Sequence, residues 1–138
     1  MELNVHLVFN GDCEAAFDTY KELFNGEIVF LFRKGEDPTT QVDEAEKDKI
    51  SHIVMNTEHF NIQGEDADMG IPVNTGSSKL VLVFKDLEKL QNIFKVLSED
   101  GEIVTPLEKS FFSESIGEVI DKFGIRWLIM MTDEDWEG

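Results

Sequence analysis

The sequence is short of cysteine, of positive charge and of long apolar runs, and each shortage excludes a class of protein. Its 138 residues contain a single cysteine, Cys13, so an internal disulfide is impossible and a reducing compartment is expected. Only 12 lysine and arginine residues stand against 29 aspartate and glutamate residues, which gives a formal net charge of −17. Nucleic acids and anionic membrane surfaces both require clustered positive charge, so neither partner is expected. No apolar run approaches the roughly 20 residues of a membrane span.

The start of the chain also lacks the features of a signal peptide. Residues 1–4 contain no basic stretch, and no apolar run as long as the h-region of a signal peptide follows them. Together with the single cysteine, this predicts a cytoplasmic protein. The negative charge is concentrated in residues 36–48 and in the tail 132–138, and both are predicted to be solvated segments rather than sites.

An internal repeat gives the architecture. Hydrophobic residues make up 41% of the sequence and include eleven phenylalanines, enough for a packed interior. A chain of this length should form one domain, or two half-size modules that share a core. Two short stretches recur at one common offset: Leu7–Phe9 as Leu82–Phe84, and Gly26–Val29 as Gly101–Val104. Two matches in one register indicate a duplication.

The same order of elements follows the first copy of the repeat. A β-rich run ends at the turn Asn10–Gly11, and the carboxylate of Asp12 is predicted to cap the following helix. The helix should end at Asn25–Gly26, since glycine adopts the left-handed conformation easily. The apolar residues at helical spacing are Ala16, Phe17, Tyr20, Leu23 and Phe24. The predicted strands are Asn4–Phe9, Glu27–Arg33, Ile50–Thr57 and His59–Gln63.

The second copy repeats this pattern, with Asp86 as the predicted helix cap and Gly101 at the helix end. Its helix stripe is Leu87, Leu90, Ile93, Phe94 and Leu97, and its strands are Lys79–Lys85, Glu102–Leu107, Ile116–Asp121 and Ile125–Met131. The fold class is therefore α+β, with two βαβββ modules: module one at 1–69, a linker at 70–78, module two at 79–131 and the acidic tail at 132–138. Neither module could bury its sheet face alone, so we expect a cupped, eight-stranded mixed arrangement with the helices outside. A concave sheet is where a small-molecule site would lie.

Three stretches carry a resemblance to a known family. They are Phe9–Phe17 followed by Tyr20 and Phe24; Ile50–His52; and Pro106–Leu107 followed by Phe111–Phe112 and Asp121–Trp127. With the paired modules, they resemble the PhnB-like proteins of the glyoxalase/bleomycin-resistance/dihydroxybiphenyl dioxygenase (vicinal oxygen chelate) superfamily. The resemblance covers nearly the whole chain and implies the glyoxalase/bleomycin-resistance fold. It departs at Phe111–Ser113, where the family typically has Phe-Trp-Gly.

The resemblance also raises the question of a metal site. Metal-dependent members of the superfamily use His and Glu from the first and last strands of each module. The resemblance places Val5 rather than His6 at the first ligand position, and a slip of one residue turns a side chain to the other sheet face. His6 and Glu65 could form half a site. The second module offers Lys79 and Leu80 in its first strand and no carboxylate in its last, so no metal and no cofactor are expected.

The candidate ligand-binding residues are His6, His52, Phe111, Phe112 and Trp127. His52 lies in the middle of a strand, where it is either a partly buried residue satisfied by a neighbour or a pocket residue that hydrogen-bonds a ligand or acts as an acid or base. The three aromatic residues either belong to the core or line the cup that the resemblance implies.

Other reactive side chains are weaker candidates. Cys13 lies in the first helical turn, where the helix dipole would lower a thiol pKa, but no His or second Cys is near it in the sequence, so a nucleophile is not favoured. His59 is expected to be exposed in a hairpin turn. Glu118 and Asp121 are predicted to be solvated or turn-forming. A methyltransferase is not favoured, because the glycine-rich loop of a Rossmann-type S-adenosylmethionine site is missing from the sequence. No catalytic residue is assigned.

Three functions remain open. The favoured one is a small-molecule-binding protein of the PhnB-like type that works without the usual metal site, by sequestration. The alternative is a divalent-metal-dependent lyase, isomerase or dioxygenase, with ligands supplied across a dimer. The third is an interaction module that uses its sheet edges. We expect a homodimer, because this superfamily commonly completes its cups between chains and Trp136 in the tail could pack over a partner.

Overall fold

A strand–helix–strand–strand–strand order occurs twice along the chain in the computed structural model, which describes residues 1–73 and 76–132. The first copy lies in Met1–Val73 and the second in the remainder of the chain. The predictions for residues 74 and 75 of the linker, and for residues 133–138 with Trp136, lie outside the described residues.

Within the described residues, each unit contains one α-helix and four strands. The first unit contains β1 (His6–Phe9), α1 (Cys13–Leu23), β2 (Glu27–Arg33), β3 (Ile50–Asn56) and β4 (Asn61–Asp66). The second unit contains β5 (Leu80–Phe84), α2 (Leu87–Ser98), β6 (Glu102–Glu108), β7 (Ile116–Ile120) and β8 (Arg126–Met131). Two short 3-10 helices, Lys34–Glu36 and Glu44–Glu46, shape the acidic insertion between β2 and β3.

Each unit forms a four-stranded mixed sheet, and the two sheets have the same topology. The strand orders are β1-β4-β3-β2 and β5-β8-β7-β6. In each sheet the first and last strands of the unit pair in parallel, and the other neighbours are antiparallel. The predicted α+β class with two βαβββ modules is confirmed.

One strand was predicted in the wrong place. The fourth strand starts at Asn61 and runs to Asp66, instead of covering His59–Gln63. The side-chain oxygen of Thr57 accepts hydrogen bonds from the backbone of His59 and of Phe60, at 3.2 and 3.0 Å. These bonds hold residues 57–60 in a turn, so the strand begins later.

The helix caps differ between the two units. Asp86 caps α2 as predicted, because its carboxylate accepts from the backbone N–H of Glu88 and Lys89. The side chain of Asp12 makes no capping hydrogen bond to α1, so that prediction is wrong. The first N–H of α1, that of Cys13, is instead bonded by Asp66 from the end of β4.

At the end of each helix, the left-handed residue lies one position earlier than predicted. The left-handed conformation is taken by Asn25 and Asp100, with φ of 52° and 58°, and not by the glycines that follow them. A side chain at Gly101 would meet backbone, whereas one at Gly26 would meet a flexible methionine side chain of β3. A Cβ on Gly101 would lie 2.4 Å from the carbonyl oxygen of Ile120, and a Cβ on Gly26 would lie 2.8 Å from a side-chain sulfur of β3.

Each helix packs its apolar stripe on one face of its own sheet. In the first unit the buried helix residues are Cys13, Ala16, Phe17 and Tyr20, which lie with Phe9, Ile53, Met55 and Ile62. In the second unit they are Leu90, Ile93, Phe94 and Leu97, which lie with Val119, Trp127 and Ile129. Of the predicted α2 stripe, Leu87 is the exception, because it remains 45% exposed at the first turn. The other face of each sheet is free of its own helix and is called the open face below.

A buried carboxylate joins three elements of the first unit. Asp66 is 2% exposed, and its Oδ1 accepts from the N–H of Cys13 at 2.9 Å. Its Oδ2 accepts from the N–H of Ile50 at 2.8 Å. The last residue of β4 therefore fixes the start of α1 and the start of β3 together.

The described residues contain no helix that is long and apolar enough to cross a membrane.

We predict that Asp66→Ala lowers the free energy of unfolding by about 2–4 kcal/mol, because two buried backbone N–H groups lose their acceptor. Urea denaturation followed by circular dichroism measures the change. Asp68→Ala is the matched control, since its side chain is 85% exposed and pairs with Lys34 at the surface. Equal effects of the two substitutions would contradict the role given to Asp66.

Candidate functional site

The open face of the first sheet carries a cluster of polar side chains. Along β1, β3 and β4 the residues alternate between the α1 side, where Phe9, Ile53 and Ile62 are buried, and the open side. This alternation puts His6, His52 and Glu65 on the open side, one from each of three adjacent strands.

The two histidines and the glutamate are in contact. The imidazole rings of His6 and His52 stack with their centroids 5.3 Å apart and their planes at 23°. His6 Nε2 lies 3.3 Å from Glu65 Oε1. The ring of Phe30, from β2, meets His52 edge-on at 5.7 Å. The predicted residues His6 and His52 are therefore brought together, and we call these four residues the histidine cluster.

The histidine cluster combines flat rings with hydrogen-bonding groups that water can reach. The side chains of His6 and Glu65 are 32% and 42% exposed, and Phe30 is 50% exposed. A neutral imidazole offers one donor and one acceptor, and the carboxylate offers only acceptors. The arrangement can stack on a planar ligand, exchange hydrogen bonds with it and move a proton near it.

Strand pairing shows what occupies the same positions in the second unit. Because β1-β4-β3 and β5-β8-β7 pair in the same order, each residue of one unit has an equivalent in the other. Leu7 and its partner Gly64 match Leu82 and its partner Ile129. By this equivalence, His6, His52 and Glu65 correspond to Val81, Ile116 and Met130. The second unit has only apolar side chains at these positions.

The first unit contains half of the metal site considered from the sequence, and the second unit adds no ligand at the equivalent positions. His6, and not Val5, has its side chain on the Glu65 side of the sheet, so the half site considered from the sequence does assemble. It gains no ligand from the equivalent positions of the second unit. In the part of the chain that the structure describes, no group of three or more His, Cys, Asp or Glu residues is arranged to hold a metal ion.

A groove of about 450 Å³ adjoins the histidine cluster and shares Glu65 with it. Its remaining lining residues are Lys34, Asp37, Thr40, Gln41, Val42, Asp43, Glu46, Ser51, Asp68 and Met69. The acidic insertion thus forms a wall of a groove. The sequence predicted only a solvated segment at residues 36–48, because nothing local indicates that the insertion folds back beside β4. Arg33, bonded to the carbonyl of Asp48, and Lys49, bonded to the carbonyl of Gly11, hold the base of the insertion.

The aromatic candidates of the second unit lie in two different environments. Phe111 is fully exposed and Phe112 is 57% exposed, and their rings meet edge-on at 5.0 Å in the loop between β6 and β7. Trp127 is 1% exposed, and its indole N–H donates to Asp121 Oδ2 at 2.9 Å. Its position is that of a core residue, which was one of the two interpretations of its sequence.

Cys13 is buried and is surrounded by negative charge. Burial raises the pKa of its thiol, and the neighbouring carboxylates of Asp66 and Asp12 raise the pKa further. The lowering of the thiol pKa expected from the helix dipole is therefore wrong in direction, because burial and then the neighbouring carboxylates raise it. A buried, protonated thiol is a poor nucleophile.

Two carboxylates near the end of β7 were predicted to be solvated or turn-forming, and both are buried. Asp121 is 5% exposed and accepts from the N–H of Phe123 and of Ile125, so its turn-forming role is confirmed. Glu118 is also 5% exposed and lies on the open face with Lys79 and Arg126 as ion-pair partners. No local pattern signals this burial, because the partner Lys79 comes from just before β5 and Arg126 from β8, and residues 117–119 are all buried in succession.

The comparisons with known proteins agree with this fold. A family model described as 3-demethylubiquinone-9 3-methyltransferase matches residues 1–130. The protein YjdN of Escherichia coli is 28% identical, over 94% of each chain. The solved structure of a Bacillus cereus protein, described as the PhnB protein, has a TM-score of 0.80 at 24% identity, and the match covers 96% of this chain and all of that one. A glyoxalase-related enzyme from Fulvimarina pelagi shares the fold, with a TM-score of 0.63 at 19% identity. The match covers 96% of this chain and 88% of that enzyme.

We expect Cys13 to resist alkylation in the folded protein, because its thiol is buried and its pKa is raised. Labelling by iodoacetamide at pH 8 should be at least about a hundredfold slower than in urea, where the thiol is exposed. Mass spectrometry of timed samples measures both rates. Comparable rates in the two conditions would show that the thiol is accessible.

Proposed function

Since the chain belongs to the 3-demethylubiquinone-9 3-methyltransferase family, the PhnB-like group with the glyoxalase/bleomycin-resistance fold, we propose that it binds a small molecule without the usual metal site. The proposed binding surface is the histidine cluster on the open face of the first sheet. A cytoplasmic location is part of the same proposal.

The observation that carries the proposal is the row of partly exposed rings. His6, His52 and Phe30 lie side by side on one sheet face, although the helix-facing side of that sheet already supplies the core. The second unit forms the same sheet with Val81, Ile116 and Met130 at the positions of His6, His52 and Glu65. The fold does not require two stacked histidines there, which favours a role in binding.

The residues suggest the character of the ligand. Stacked imidazoles and a phenyl ring favour a flat, at least partly unsaturated molecule. Glu65 favours a hydrogen-bond donor on that molecule. We also propose Phe111 and Phe112 as ligand contacts of the second unit alone, because a pair of exposed phenylalanines gains apolar burial from any ligand that covers them. Trp127 is left out because it is buried.

The residues also favour binding over metal-dependent chemistry of the superfamily type. That chemistry needs ligands from both modules, and three protein ligands are the usual number at a catalytic centre. His6 and Glu65 supply two from the first unit. Their equivalents in the second unit are Val81 and Met130, which cannot bind a hard divalent ion.

We predict that a screen of small aromatic and polar metabolites by thermal shift finds compounds that stabilise the full-length protein. Affinity for such a compound, measured by calorimetry, should fall about tenfold or more in His52→Ala, since the ring is lost from the centre of the row. His59→Ala is the matched control, because its side chain is 80% exposed in a turn away from the histidine cluster.

Two outcomes would overturn the proposal. Failure of every compound class to stabilise the protein would remove the case for a ligand. Stoichiometric zinc, nickel, manganese or iron in protein purified without chelator would favour the metal-dependent lyase, isomerase or dioxygenase instead.

We also propose that the chain forms a homodimer. The edge strands β2 and β6 expose apolar side chains, among them Val29 and Leu31 in the first unit and Ile103 and Val104 in the second. An exposed, apolar edge strand favours pairing with another chain.

Light scattering after size exclusion should therefore give twice the chain mass of 15.7 kDa. Replacing Ile103 by lysine should shift the species toward the monomer, because a charge on an edge strand opposes pairing. Lys95→Gln, on the exposed side of α2, is the control and should remain dimeric. A monomeric mass for the unaltered protein would refute the dimer.

A further inference from the structure

A buried glutamate with two cationic side chains above it lies on the open face of the second sheet. Lys79 Nζ is 2.6 Å from Glu118 Oε1, and Arg126 Nε is 2.9 Å from Glu118 Oε2. The carboxylate is 7% exposed, whereas the lysine and arginine side chains are 41% and 30% exposed. We call these three residues the cationic cluster, since the positive groups form its outer layer.

The cationic cluster carries surplus positive charge. The hydrogen bond from Lys79 lowers the pKa of Glu118, and the bond from Arg126 lowers it too, while burial opposes both. The carboxylate is therefore ionised at neutral pH. Two cations against one anion leave one positive charge, in a protein whose formal net charge is −17.

Within residues 1–73 and 76–132, the outer layer also has more hydrogen-bond donors than acceptors in contact with it. An ammonium group carries three N–H donors and a guanidinium group five. Glu118 accepts from Lys79 Nζ and Arg126 Nε and lies 2.8 Å from Arg126 Nη2, and the carbonyl of Gly76 accepts from Arg126 Nη1. These contacts fix both side chains, so the remaining donors are already oriented before a ligand arrives.

The βαβββ scaffold does not need the cationic cluster. The strand pairings that match the two units give the first-unit equivalents of Lys79, Glu118 and Arg126 as Asn4, Val54 and Asn61. The first unit forms the same sheet without a charge at any of these positions. A buried ion pair contributes little net stability compared with apolar residues of similar size, so stability does not account for it either.

We propose that Lys79 and Arg126 bind the carboxylate or phosphate group of a small molecule on the open face of the second sheet. Glu118 is a positioning residue that holds the two cations in place. This proposal does not depend on the function proposed for the histidine cluster.

Titration of the isotope-labelled full-length protein tests the site, with inorganic phosphate in one arm and sodium acetate in the other, both at constant ionic strength. The NMR signal of the Arg126 Nε–H should shift and saturate in at least one arm, since that group lies at the site. Lys79→Gln should weaken the apparent affinity about tenfold, and Lys79→Arg should retain it, because the charge and donors are kept.

Lys95→Gln is the matched control, since it removes the same charge from the exposed side of α2 and should change the affinity less than about twofold. Saturation by phosphate alone or by acetate alone identifies the preferred group, and either result supports the site. The absence of a saturable shift in both arms up to about 50 mM would overturn it. Equal weakening by Lys79→Gln and Lys95→Gln would also overturn it, because the effect would then be general charge screening.

Discussion

The buried carboxylate of Asp66 is the contact on which the first unit depends. It closes β4 and accepts the backbone N–H of Cys13 and of Ile50, so one side chain sets where α1 and β3 begin. It also fixes the return point of the acidic insertion, which ends just before Ile50. Glu65, its neighbour in β4, then points to the opposite face by simple alternation. The core side of the sheet and the polar open side are therefore positioned by the same short stretch of chain.

Most of the fold could be predicted from the sequence, because the repeat of Leu7–Phe9 and the two helical stripes are local patterns. What could not be predicted depends on contacts between residues far apart in the chain. The cap of α1 comes from Asp66 rather than from the adjacent Asp12, and no local pattern indicates such a partner. The position of β4 depended on the hydroxyl of Thr57, whose turn is hard to distinguish from a strand end.

A polar site on a sheet could be predicted from the sequence, but only some of its residues could be named. The two histidines could be named because their residue types suggest chemistry, and the structure places His6 against His52. Phe30 was not named and Glu118 was assigned to solvent or a turn, because a phenylalanine usually means core and a glutamate usually means solvent. Each takes its role from strand register instead. The two units thus share one scaffold, yet each places its polar residues at positions where the other is apolar or uncharged.

The left-handed turn at Asn25 and Gly26 has a consequence for the chemical ageing of the protein. Asparagine followed by glycine is prone to deamidation, in which the glycine backbone nitrogen attacks the asparagine side chain to form a cyclic imide. In the folded chain the N–H of Gly26 donates to the carbonyl of Lys21 at 2.8 Å, which holds that nitrogen away from the attack. The second unit has Asp100 at this position with a similar φ. Hydrolysis to plain aspartate is thus a change that the turn tolerates, whereas isoaspartate would insert an extra methylene into the backbone of the turn.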